Sequence, residues 1–332
     1  MVTRAGDDMR WYVSTGNLPA PKDVGAILAE THARLAGDDS GVVSQVYPAL
    51  ARANPALFGI SLVGTDGRVY EAGDALHPFS IMSVSKPFIL ALVCQAIGWE
   101  TVRSRVGVNA TGMPFNSLAA VELSADGRTN PMVNSGAIAT TSLVPGDGPQ
   151  ARWRFIQEGL SRFAGRDLAV DAEVYASASE TNFRNRSIVN LLHTRGRTYG
   201  DPAEAVDLYT KQCALSVTAH DLAVMGATLA DGGVNPLTRE AVVDAATCRR
   251  ALAVMATAGL YETSGDWLCD IGLPGKSGIG GGIVAAAPGK GGFGSFSPPL
   301  DPAGNSVRGQ RITKHLSEVL GLNLFASRPK DI

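Results

Sequence analysis

The stretch FSIMSVSKPF, residues 79–88, decides the reading of this chain. An apolar run, Phe79 to Met82, leads into Ser83-Val84-Ser85-Lys86 and then into the apolar segment Phe88 to Gly98. A serine and a lysine three residues apart at the start of a helix project from one face, with the serine near the positive end of the helix dipole. A hydroxyl becomes a competent nucleophile only when a neighbouring base takes its proton, and a desolvated lysine amine can be that base. Ser83 is therefore the candidate nucleophile and Lys86 the candidate base. The bare pattern is common, and an N-cap serine followed by a surface lysine is its ordinary alternative.

A second element changes that balance. Lys276-Ser277-Gly278 opens a late glycine-rich segment and matches the K-[ST]-G that accompanies S-x-x-K in penicillin-recognising serine enzymes. In that arrangement a strand runs along the active-site edge, where small residues let a substrate approach and the N–H groups of Ser83 and Ile279 can face a developing oxyanion. Working outward, FGISLV, TDG and RVYEAG read as strand, turn and strand, because β-branched runs flank an Asp-Gly pair. KSGIGGGIVAAAPGKGGFGSFSP reads as two glycine-rich strands around a turn at Pro288 and Gly289. Asp23 to Leu35 has apolar residues at helical spacing, Pro48 to Asn54 reads as helix or turn, Ile97 to about Tyr209 as mostly helical, and Arg308 to Leu322 as an amphipathic helix. This order predicts an α+β fold: one antiparallel sheet assembled from both ends of the chain, 1-95 and 211-332, with a helical domain, 96-210, inserted between them. An interdomain cleft is the expected place for a site.

With 332 residues, 45% hydrophobic and 18% charged, the chain can bury a large core in one or two domains. A net charge of -2 lacks the basic excess that nucleic acid binding needs, so a small-molecule substrate is expected. The first residues contain no apolar h-region and the longest apolar run is too short to cross a bilayer, so a cytoplasmic protein without membrane contact is expected. Cys94, Cys213, Cys248 and Cys269 form no C-x-x-C pair and read as reduced core residues. No metal or cofactor is expected. A phosphate loop is excluded because it would need a glycine five residues before Gly275, where Asp270 stands. None of the five histidines lies in these motifs, so a Ser-His-Asp triad has little support.

Taken together, the stretches YVSTGNLP, FSIMSVSKPF, NPMVNSGAI, RNRSI, DLYTKQCALSVT, TLADGGVNP, GLYETSGDW, GLPGKSGIGGGI and SPPLDPAGNSVRG make the chain resemble the serine-dependent glutaminases, whose fold is that of the serine β-lactamases. The resemblance covers most of the chain. It implies an amidohydrolase acting on the side-chain amide of L-glutamine through an acyl-Ser83 intermediate, with Lys86 as proton acceptor, Tyr261 as a proton shuttle beside Ser83, Lys276 in the same arrangement and Ile279 as an oxyanion donor. It also implies that Asn134, Asn185 and Tyr209 bind substrate, and that the chain forms a dimer or tetramer.

Three positions depart from the family's pattern. An acid that meets the substrate's α-ammonium is replaced by Ala178, and the family's Tyr-Ile-Pro becomes Val46-Tyr47-Pro48, which should point Tyr47 elsewhere. The Gln or Glu before the nucleophile is Met82, which makes no strong hydrogen bond. Glu180 is the nearest acid that could compensate. The departures favour an alternative in which the same chemistry acts on a modified amide in a biosynthetic pathway. A cell-wall carboxypeptidase or β-lactamase is disfavoured by the missing signal, and a catalytically dead binding protein by the retained Ser83, Lys86, Tyr261 and Lys276.

Overall fold

The computed structural model describes residues 18–327, so most of YVSTGNLP lies outside the described residues. Helix α1 (Pro21–Leu35) is followed by the short strand β1 (Val42–Val43), a 3-10 turn (Leu50–Arg52), and the hairpin of β2 (Gly59–Gly64) and β3 (Val69–Gly73). The hairpin reverses at Asp66-Gly67, where Gly67 has φ 82°. Strand β4 (Phe79–Ser80) leads into a 3-10 turn (Met82–Ser85) and α2 (Lys86–Ile97). Helices follow without a strand: α3 (Trp99–Val106), α4 (Ala119–Glu122), α5 (Asn134–Thr141), α6 (Pro149–Ala164), α7 (Ala172–Thr181), α8 (Phe183–Thr194) and α9 (Pro202–Cys213). Then come β5 (Ser216–Val217), α10 (Ala219–Ala230), α11 (Ala245–Ala258), a 3-10 turn (Tyr261–Thr263) and α12 (Ser264–Asp270). Strands β6 (Gly275–Ser277), β7 (Gly282–Ala287), β8 (Gly291–Phe296) and β9 (Pro299–Leu300) precede the last helix, α13 (Val307–Val319).

Five strands form one antiparallel sheet in the order β3-β2-β8-β7-β6, so its two ends come from the two ends of the sequence. The late glycine-rich segment makes three strands where two were expected, because the backbone turns at Gly278 to Gly281, with Gly281 at φ 95°, and separates β6 from β7. On one face, α1 and α13 bury Val24, Leu28, Ile312 and Leu316 against Ile60, Leu62, Ile283 and Phe293. On the other face lies α10, where Val63 meets Ala223, Val224 and Ala227. The alternation of Leu62 and Val63 between faces is the period-two signature of a strand buried on both sides.

The glycines of β8 have a structural reason. A Cβ at Gly292 would stand 2.1 Å from the Ala227 nitrogen, and one at Gly294 2.0 Å from the Ala219 carbonyl oxygen, so only bare backbone lets α10 lie this close. Gly292→Val is accordingly expected to destabilise the protein by about 3 kcal/mol, read as a lowered urea midpoint, whereas an unchanged midpoint would show that α10 can move aside.

Helix α10 begins with a capping box in which Thr218 accepts from the Asp221 N–H and Asp221 accepts from Thr218. Arg166 grips the same carboxylate through two hydrogen bonds of 2.8 and 2.6 Å, tying the helical segment to the sheet-covering helix. Helix α2 is buried from Lys86 to Cys94 and packs against α11, α5, α6 and α3. One hydrophobic cluster runs from Leu50 through the central helices to Leu300, so buried contacts cross the expected boundaries at residues 95 and 211.

Candidate active site

The nucleophile motif sits where the sheet meets the helices. Ser80 pairs with Ser216 and the Ile81 N–H donates to the Leu215 carbonyl at 2.9 Å, which ties the entry to the motif to the end of α9. Ser83 lies in the 3-10 turn ahead of α2 rather than in the α-helix, and in such a turn residues i and i+3 nearly eclipse, which sets Ser83 and Lys86 on one line. Met82 is held at φ 46°, an unusual conformation for a side-chain-bearing residue. A buried chain braces it: Thr141 Oγ1 donates to Gln212 Oε1 at 3.1 Å, Gln212 Nε2 to Ser85 Oγ at 3.3 Å, and Ser85 Oγ to the Met82 carbonyl at 2.8 Å.

Lys86 is fully buried, and its Nζ donates to Asn134 Oδ1 at 2.7 Å and to the Met132 carbonyl at 3.3 Å. No hydrogen bond joins it to Ser83 among the described residues. Burial lowers the amine from 10.5 to about 7, so a large fraction is uncharged near neutrality. A neutral amine has two hydrogens and one lone pair; the two carbonyl acceptors take the hydrogens, and the lone pair is left for a hydroxyl. Burial, and not the charge of Lys276, is what lowers it. Lys276 is itself pushed well below the usual range, first by burial and then by the charge of Lys86.

Lys276 donates to the carbonyls of Gly259 at 2.8 Å and Ser277 at 2.7 Å, and lies 4.2 Å from the centre of the Tyr261 ring. The Tyr261 hydroxyl donates to the Ser277 carbonyl at 3.3 Å and interacts with the Ser83 side chain. Burial pushes this phenol up to about 12, against the opposing pull of those hydrogen bonds. Tyr261 also has a positive φ, 57°, so strained backbone flanks the centre on both sides. Gly278 lies against the nucleophile's turn: a Cβ there would stand 3.2 Å from the Ser83 nitrogen. Neither the Ser83 nor the Ile279 N–H donates to a protein group among the described residues.

Ser83 and Ile279 open on a cavity of about 330 Å³, while Lys86, Tyr261 and Lys276 stand behind its wall. Ser83, Met82, Ile279, Asn134, Asn185, Tyr209, Ala178 and Tyr47 all line it. Asn134 Nδ2 donates to Asn185 Oδ1 at 2.8 Å, and Tyr209 Oη donates to Asn134 Oδ1 at 3.1 Å. The Asn134 amide is thus oriented by three neighbours and holds Lys86 as well as facing the cavity. Burial raises the Tyr209 phenol well above its usual range, and it does the same for Tyr47.

Tyr47 keeps a place in the cavity wall despite its one-residue shift. Residues 44–49 form an irregular bend rather than a strand, so Val46 and Tyr47 both reach the cavity, and Tyr47 Oη donates to Asn182 Oδ1 at 3.4 Å. Ala178 is buried on α7, whereas Glu180 is exposed and is not part of the wall. Among the described residues, Arg184 is the one charged residue of the lining. Its Nε donates to the Asn116 carbonyl at 2.8 Å.

Several lining residues were not read from sequence as part of a site: Phe115, Asn182, Thr210 and Cys213. Cys213 had a signal, since it lies four residues after Tyr209 on α9 and shares its face. Burial raises its thiol to about 11. The expectation of four core cysteines is corrected at Cys269, which is exposed because α12 is a short surface helix.

Comparison with known proteins places this geometry. The sequence profile of the Glutaminase family matches residues 41–325. The chain is 64% identical to Glutaminase 2 of Yersinia pestis over 96% of its length and 94% of the relative's, and 50% identical to the glutaminase of Brucella canis over 87% and 92%. Among solved structures it superposes on the probable glutaminase ybaS with TM-score 0.91 at 42% identity, covering 93% of this chain and all of that one. It superposes on the Bacillus subtilis glutaminase YbgJ, in covalent complex with 5-oxo-L-norleucine, with TM-score 0.81 at 29% identity over 92% and 99%. The sheet, the serine–lysine turn and these likenesses together show that the chain belongs to the glutaminase family, with its β-lactamase-like fold.

Proposed function

We propose that the protein hydrolyses the side-chain amide of L-glutamine to glutamate and ammonia through an acyl-Ser83 intermediate. The observation that carries this reading is the buried Lys86 amine, lowered to about 7, one 3-10 turn from a cavity-facing serine. Neutral Lys86 takes the Ser83 proton as Oγ attacks the amide carbon. The N–H groups of Ser83 and Ile279 receive the oxyanion, where donors that need no reorganisation act most strongly. Ammonia departs with a proton delivered through Tyr261 or Lys86, and water, activated by the same base, releases glutamate from Ser83. Lys276 holds Tyr261 and the Ser277 carbonyl in place through its contact with the ring and its hydrogen bond, and Asn185 with Tyr209 holds the polar end of the substrate. Ammonia release from L-glutamine tests the activity directly; a homo-oligomer, read by sedimentation, belongs to the same proposal.

One observation favours a second reading. No carboxylate lines the cavity among the described residues, so the α-ammonium of free glutamine has no anionic partner there. An amide whose α-nitrogen is acylated or absent carries no such charge. This reading keeps the chemistry and changes only the substrate.

The pH dependence follows from the base. Lys86 must be neutral to act, and its lowered value means that the neutral fraction grows as pH rises through about 7. At saturating substrate, with chemistry rate-limiting, kcat is expected to rise about tenfold per pH unit below that midpoint and to level off above it. A profile flat across the same range would contradict a lysine base.

A further inference from the structure

The cavity does not end at its mouth. It shares Val46, Phe115 and Ile279 with a groove of about 760 Å³ that runs between β1 and the turn after β9. The groove meets the site beside the reacting groups. A Cβ at Gly304, in its floor, would stand 3.5 Å from Ile279 Cγ2, 3.6 Å from Tyr261 Cε2 and 4.0 Å from Phe115 Cε1. Gly304 adopts φ 97°, so the turn needs glycine and leaves this floor open. Phe115 packs against Tyr261 with ring centres 4.6 Å apart and the planes tilted by 37°, and it borders both groove and cavity.

The groove's charged groups are already satisfied. Asp301 Oδ1 accepts from the N–H groups of Ala303 and Asn305, each at 2.9 Å, and Asp301 Oδ2 accepts from Gln310 Nε2 at 2.9 Å. Arg311 is paired with Asp38. What remains for a ligand is mostly apolar, Val42, Val43, Leu300, Pro302 and Ala303, beside the polar side chains of Ser40, Ser44 and Gln45.

We propose that this groove receives the amine half of a secondary γ-amide, so that the enzyme cleaves γ-glutamyl derivatives of apolar primary amines as well as the primary amide. The proposal rests on the acyl-Ser83 reading. In that mechanism the departing nitrogen is the group that Tyr261 serves, and a substituent on it leads along Ile279 and Phe115 into the groove. The Ser83 Oγ–carbon bond forms as the hydroxyl proton passes to Lys86. The carbon–nitrogen bond breaks as the nitrogen takes up a proton, the free amine leaves through the groove, and water then releases glutamate.

The test compares L-glutamine with L-γ-glutamyl-p-nitroanilide in the wild-type enzyme and in Ala303→Trp and Val42→Trp, which fill the groove from opposite walls. Wild type is expected to cleave the anilide with kcat/KM of at least about a tenth of its glutamine value, and each variant to lower the anilide-to-glutamine ratio about tenfold or more. Val42 is 68% exposed, so its replacement keeps the comparison available should Ala303→Trp not fold. Turnover of glutamine without the anilide, or an anilide ratio unmoved by both variants, overturns the groove's role and leaves the glutaminase reading standing. Turnover of neither overturns both. A selective loss on α-N-acetyl-glutamine in place of the anilide assigns the groove to the other end of the substrate and likewise overturns the proposal.

Discussion

Ser83→Ala and Lys86→Ala are each expected to reduce amide hydrolysis to below about a hundredth of the wild-type rate, and the double variant to be no slower than the worse single one, because nucleophile and base act as a unit. The two variants should differ in stability. Ser83 is small, and truncating it removes one hydroxyl. Lys86 is fully buried among Asn134, Met132 and Tyr209, so its truncation leaves a void and a carbonyl without a donor. Lys86→Met fills most of that space without a base, and it separates the two effects: it should be as inactive as Lys86→Ala and unfold at higher temperature. If Ser83→Ala or Lys86→Met kept more than about a hundredth of the rate, the assignment of that residue would be wrong.

The second large effect concerns substrate preference. Ala178→Glu is expected to lower KM for L-glutamine about tenfold or more, since a charge-assisted hydrogen bond is worth about 1.5–3 kcal/mol and each 1.4 kcal/mol is tenfold. Ala178 lies on α7, where glutamate is a good helix former, and its side chain is buried in the cavity wall. Without substrate the new carboxylate would be desolvated and unpaired, so the variant should melt below wild type and recover when glutamine is added. α-N-acetyl-glutamine, which brings no ammonium, should gain nothing. In the wild type the order reverses: the acetylated amide should show the larger kcat/KM. If wild type already binds free glutamine tightly and Ala178→Glu brings no gain, another group meets the ammonium and the modified-amide reading is abandoned.

Much of the centre was legible because its chemistry is written in short spacings. Ser83 with Lys86, and Lys276 before a glycine, are local patterns whose geometry follows from a turn and a strand. The sheet was legible for a similar reason: Asp66-Gly67 and Pro288-Gly289 mark hairpins. The break between β6 and β7 was not, because the three consecutive glycines Gly280 to Gly282 fit a strand and a turn alike. The role of the β8 glycines was not legible either: Gly292 and Gly294 serve the approach of α10, a long-range contact with no local signature.

The same limit hid the details of the site. Nothing in the letters around Met82 announces a positive φ; it is imposed by the Gln212–Ser85 chain, whose members are far apart in sequence. The shift of Tyr47 was expected to remove it from the cavity, but a bend has no period of two, and both neighbours reach the wall. Cys213 could have been placed through its i,i+4 relation to Tyr209, had α9 been read as a helix with one face in the site.

The central claim is that Ser83 forms the acyl bond with Lys86 as its base, and covalent capture tests it most directly. Wild-type protein, Lys86→Met and Cys213→Ser would be incubated with 6-diazo-5-oxo-L-norleucine and the adduct located by peptide mass spectrometry. Cys213 matters because it is the other nucleophile lining the cavity. The account predicts one adduct, on Ser83, forming equally in Cys213→Ser and slowed at least about a hundredfold in Lys86→Met. An adduct on Cys213, or labelling of Ser83 at an undiminished rate without Lys86, would contradict it.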